Sequence, residues 1–103
     1  MATLDEENQQ ALWLIQALLG AVSPNFRAVS IDCQDTIVLT FVLFEESAED
    51  REEIERTLSE LMAQQIREGS FATKVLVSTK RIDDILLPGR LVFLRRERAA
   101  SGS

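Results

Sequence analysis

Residues 36–44, Thr-Ile-Val-Leu-Thr-Phe-Val-Leu-Phe, are apolar on both sides of an extended chain, and this constrains the fold more than any other stretch. With a period of two, Ile37, Leu39, Phe41 and Leu43 share one face, and Val38, Val42 and Phe44 share the other. Such a strand belongs inside a sheet, with its second face covered by the fold or by a partner. Just upstream, residues 26–33 alternate. Val29 and Ile31 point one way, and Ala28, Ser30 and Asp32 point the other, as in a half-buried strand. Gln34-Asp35 supplies the turn between them, so the two strands read as a hairpin.

Helical patterns flank this pair. Thr3-Leu4-Asp5-Glu6 has capping-box spacing, and its acids complement a helix dipole. The helix is expected to run to about Val22, because Pro24 disfavours helical backbone at the residue before it. It carries two adjoining apolar stripes, Leu12, Ile15, Leu19 and Val22 beside Ala11, Leu14, Leu18 and Ala21. Trp13, Gln16 and Gly20 are left on a narrow third face. An apolar surface this wide calls for cover on more than one side. A glycine within the helix suggests close approach by another element, either a strand of the fold or a partner docking with Trp13 as its anchor.

Ser47-Ala48-Glu49-Asp50 repeats the capping spacing and opens a second helix. Its single stripe is Ile54, Leu58, Leu61, Met62 and Ile66, and Gly69 is a natural stop. Residues 74–79 read as a third strand. Residues 82–89 read as a loop holding Ile85, Leu86 and Leu87 before the Pro88-Gly89 turn, and residues 90–96 as a fourth strand. The αββαββ order with hairpin connections predicts an α+β two-layer sandwich, a four-stranded antiparallel sheet carrying both helices on one face. One domain is expected over residues 1–97, with residues 98–103 a disordered tail.

The composition excludes much chemistry. Histidine is absent, which removes Ser-His-Asp and Cys-His catalysis and any imidazole metal ligand. The lone Cys33 has no internal disulfide partner, fits a reducing compartment and reads as a structural thiol. Asp32 with Asp35, and Asp83 with Asp84, offer too few oxygen ligands for a hard cation. The four glycines form no phosphate-binding loop. The reading is therefore a non-enzyme with no metal and no cofactor. The apolar stretch over residues 11–22 is too short to span a bilayer, and acids precede it where a signal peptide would be basic. No membrane association and a cytoplasmic location are expected.

Charge is distributed unevenly. Residues 1–65 hold thirteen Asp/Glu against three Arg, and residues 66–103 hold eight Lys/Arg against four Asp/Glu. Seven acids crowd into residues 45–55: Glu45, Glu46, Glu49, Asp50, Glu52, Glu53 and Glu55. Stabilisation of a helix N-terminus accounts for some of them, at about 0.3–1 kcal/mol each, but not for Glu45 and Glu46 ahead of the cap. Two readings stand, a solvated acidic face and a surface that meets a basic protein partner. On the second, Glu45, Glu46, Glu49, Asp50, Glu52, Glu53 and Trp13 are the candidate partner-binding residues. The basic C-terminal stretch lacks the interleaved aromatics of a nucleic-acid surface, and the formal charge of −6 opposes approach to a polyanion. Its arginines are expected to pair with the acidic helix, and no direct nucleic-acid binding is expected.

Three stretches carry a resemblance: Ala17-Leu18-Leu19-Gly20-Ala21-Val22-Ser23-Pro24-Asn25-Phe26-Arg27, Glu49-Asp50-Arg51-Glu52-Glu53-Ile54-Glu55, and Arg90-Leu91-Val92-Phe93-Leu94-Arg95-Arg96-Glu97. Together they resemble small immunity proteins of bacterial polymorphic-toxin loci, including those of contact-dependent growth inhibition. The resemblance implies a cytoplasmic antitoxin that binds one cognate toxin domain, often a nuclease. The expected function is stoichiometric inhibition of a basic toxin nuclease domain through the acidic surface. The alternative is a homo-oligomeric structural domain, a homodimer in the simplest case, suggested by the apolar faces left without a cover.

Overall fold

The computed structural model of the chain describes residues 4–18, 20–33, 36–63 and 70–95. Helix α1 (Leu4–Leu18) leads into strands β1 (Phe26–Cys33) and β2 (Thr36–Leu43) and helix α2 (Ala48–Ala63). Strand β3 (Ser70–Val77), a short 3-10 turn (Ile82–Asp84) and strand β4 (Arg90–Leu94) follow. The features expected at Thr3, Leu19, Gln34-Asp35, Ile66, Gly69 and residues 96–103 lie outside the described residues.

Two helices and a four-stranded sheet make the α+β architecture, but the sheet is mixed, not antiparallel, in the order β3-β2-β1-β4. Strand β1 runs antiparallel to both β2 and β4, whereas β3 lies parallel to β2. The cause is the connection. A helix between two strands carries the chain back to the end where the first strand began, so the next strand runs the same way. Helix α2 imposes this on β3, which begins at Ser70, ahead of the expected position. Residues 78–89 then take the chain past β2 and β1 to the far edge, and this crossing replaces the expected β3–β4 hairpin.

The inward face of the sheet presents Phe26, Val29, Ile31 and Cys33 from β1 with Ile37, Leu39, Phe41 and Leu43 from β2. Leu14 and Leu18 of α1 and Ile54 and Leu61 of α2 close over them. Phe26 and Phe41 meet edge to face, with centroids 6.0 Å apart and planes at 87°, a geometry contributing about 0.5–1.5 kcal/mol beyond area burial. Ala11, Leu14 and Leu18 of α1 are buried and Trp13 and Val22 pack against the core, while Leu12 and Ile15 are 49% and 41% exposed. At Leu12 and Ile15 the expectation of cover is thus corrected, because α1 meets the sheet chiefly through Ala11, Leu14 and Leu18.

The second face of the sheet is covered without a helix. Ala28, Ser30, Thr40 and Val42 are fully buried there. Residues 78–89, which cross from edge to edge, supply half-buried Ile82, Ile85 and Leu87. Gly89 seats the end of this crossing against β1. Its φ is +75°, and a Cβ at that position would stand 2.2 Å from the Ile31 carbonyl oxygen. Val38 is half-buried, and Phe44 is exposed with the Arg95 guanidinium 6.0 Å from its ring centroid. Among the described residues no helix is long and apolar enough to cross a membrane.

Candidate functional site

The acidic segment begins where β2 ends. Its position is set by Asn25, in the connection between α1 and β1. The Asn25 amide donates to the Glu45 carbonyl at 2.7 Å and to the Asp50 carboxylate at 2.8 Å. Its side-chain oxygen accepts the Glu45 N–H at 2.9 Å, and its carbonyl accepts the Phe44 N–H at 2.9 Å. One side chain thus ties the start of β1 to the start of α2. The Ser47 hydroxyl then caps the helix by accepting the Asp50 N–H at 3.2 Å, as the Ser-x-x-Asp spacing requires.

Within this frame the acids divide by environment. Asp50 is 7% exposed and bonded to Asn25, so it works inside the fold as the acceptor that fixes the α2 terminus. Glu46 is exposed and grips Arg51 with both oxygens, at 2.5 and 2.7 Å. That hydrogen-bonded pairing holds the Glu46 carboxyl below its usual range and raises Arg51. Glu53 lies 3.3 Å from Arg56, one helical turn on. Glu45, Glu49, Glu52 and Glu55 are exposed and form no ion pair among the described residues. At helical spacing Glu49 and Glu52 project from the outward side of α2, opposite buried Ile54 and Leu61.

Trp13 sits on a separate element. It is half-buried on α1 and packs against the core. Gly20 lies in the turn beyond α1, and a Cβ there would meet nothing within 4 Å. The close approach expected at Gly20 is therefore corrected. Instead, Gln16 and Gly20 border an open cleft of about 220 Å³, with Glu53, Arg56 and Glu60 of α2 across from them.

The basic strand is also placed differently from the expectation. β4 occupies the edge beside β1, where α1, not α2, is the neighbouring helix. Arg90 donates to the Asn8 side chain and Arg95 to the Pro24 carbonyl, so for these two the expected pairing with the acidic helix is replaced by contacts with α1 and the α1–β1 connection, whereas Arg96 and Arg98 lie outside the described residues. Asn25 is the residue that sequence reasoning missed. Ser23-Pro24-Asn25 carries a turn signal, and nothing in it specifies that the amide reaches residues 45 and 50.

The sequence profile described as MafI2 immunity protein matches residues 7–97. No curated protein matches the chain.

Proposed function

The chain belongs to the MafI2 immunity protein family, and from that premise we propose that it neutralises a cognate toxin domain by stoichiometric binding through the N-terminal part of α2. The observation that carries the reading is the group of exposed carboxylates, Glu45, Glu49 and Glu52, that have no cationic partner among the described residues. Helix-dipole stabilisation accounts for acids in the first turn, yet this group extends on both sides of it. Unpaired like charges repel, and the repulsion is relieved when a basic surface arrives. A nuclease grips phosphates with such a surface, so carboxylates fixed in position both steer the encounter and occupy the groove. The proposed target is accordingly a basic nuclease domain of a polymorphic-toxin system, met in the cytoplasm. Paired Glu46 and Glu53 flank the contact, and Asp50 holds its backbone. No catalytic step is involved.

The test uses the cognate toxin domain recovered from the native host with this chain as bait. Glu49→Lys with Glu52→Lys is expected to slow association about tenfold at low salt and to flatten its salt dependence, since charge at the rim governs on-rate. An unchanged association rate removes α2 from the interface.

Self-association is the second reading, favoured by Leu12 and Ile15 exposed side by side on α1. A sizing column on the isolated chain separates the two, and a stable dimer that Leu12→Ser disperses selects this one.

A further inference from the structure

At the opposite edge of the sheet from β4, Val75, Leu76, Val77 and Ser78 line one groove of about 410 Å³, walled by Ile85 and Leu86. Successive side chains of a strand point to opposite faces, so four consecutive residues border one space only along the strand's edge, where the backbone is presented. Pairing with β2 fixes which groups are presented. Ser78 donates its N–H to the Leu43 carbonyl at 3.0 Å, and alternation from there turns the even-numbered residues of β3 toward β2. Phe71, Thr73, Val75 and Val77 therefore direct their N–H and C=O groups outward, where no partner meets them among the described residues. Leu86, at the groove wall, is 92% exposed.

We propose that the β3 edge is a docking site for an extended strand of a partner protein, apolar at alternate positions and acidic beside Lys74. Unpaired donors and acceptors in register are matched by another backbone, and the groove beside Leu86 accommodates that strand's side chains. Lys80 and Asp84 both line the groove and offset each other, so the sign of charge that the edge favours is set by the exposed Lys74. The same lysine disfavours a second copy of the chain. Two-fold antiparallel pairing over residues 71–77 would centre on Lys74 and place two like charges side by side, a known block to edge-to-edge association. The site is distinct from the acidic surface of α2 and does not depend on it.

The probe is the short peptide acetyl-Thr-Val-Glu-Val-Thr-Val-amide, added to the full chain while amide hydrogen exchange is followed residue by residue. At ten times its Kd the peptide is expected to slow exchange at Val75 and Val77 about tenfold, since exchange proceeds from the unbound fraction. Replacing its glutamate by lysine is expected to weaken binding several-fold. Val75→Pro removes an outward N–H without touching the β2 ladder and is expected to abolish binding. No protection at Val75 and Val77 at millimolar peptide overturns the proposal, and this readout on the unmodified chain needs no variant to fold. Protection that grows with the concentration of the chain alone also overturns it, in favour of self-pairing.

Discussion

Ser30 and Thr40 stand opposite each other across the β1–β2 pair, both fully buried, and neither hydroxyl has a hydrogen-bond partner among the described residues. They lie on the sheet face without helices, beneath the crossing of residues 78–89. A buried hydroxyl without a partner costs about 1–3 kcal/mol. Ser30→Ala combined with Thr40→Val keeps the shape and removes both polar groups. The double variant is expected to gain about 1–2 kcal/mol, read as a higher denaturation midpoint at constant m-value. A loss of stability would mean that the two hydroxyls bond to each other or to water.

Asn25 makes three side-chain hydrogen bonds between the α1–β1 connection and the α2 terminus. Asn25→Ala leaves the buried Asp50 carboxylate without that donor. A loss of about 2–3 kcal/mol is expected in urea denaturation, with faster amide exchange at Glu45. A neutral result would show that α2 is positioned by its core contacts alone.

The two described glycines should respond oppositely to alanine. Gly89→Ala sets a Cβ against the β1 backbone at a positive φ and is expected to cost more than about 2 kcal/mol. Gly20→Ala meets open space and is expected to gain about 0.4–1 kcal/mol by restricting the unfolded chain. Thermal melts of the two variants check both. A strongly destabilised Gly20→Ala would restore the close approach that the geometry excludes.

Arg51 holds the Glu46 carboxyl below its usual value of 4.5 by hydrogen bonding. Because the folded-state pKa is the lower one, the stabilisation is present above that usual value and is lost as pH falls through the folded-state midpoint. Carboxyl NMR titration should place the Glu46 midpoint below 4.5, and Arg51→Ala should return it there. An unchanged midpoint in Arg51→Ala would assign the shift to the Ser47 N–H, the lesser hydrogen bond to the same carboxylate.

Much of the fold was legible from periodicity, because a strand buried on both faces has few places in a sheet. Residues 36–44 identified the interior strand and paired it with residues 26–33, as observed for β1 and β2. The second face was harder. Val38, Val42 and Phe44 look alike in sequence, yet they end half-buried, buried and exposed, with Phe44 one residue beyond the end of β2. The acidic segment was equally visible, but its division was not. Glu46 and Glu49 are the same residue type three positions apart, and the Arg51 side chain turns toward only one of them. Asp50 left the surface because Asn25, distant in sequence, arrived beneath it.

Local patterns were enough for the local events: Ser47 as a helix cap, the apolar stripe of Ile54 and Leu61, the interior character of β2 and the absence of imidazole chemistry. These depend on side-chain type and on spacing within a turn or a strand. Long-range packing was needed to lay β3 parallel to β2, to carry β4 to the far edge and to leave the β3 backbone open among the described residues. Strand direction follows from where a connection returns the chain, and edge position from which neighbours remain to be paired. Both arise from contacts between segments far apart in sequence, which no local pattern encodes.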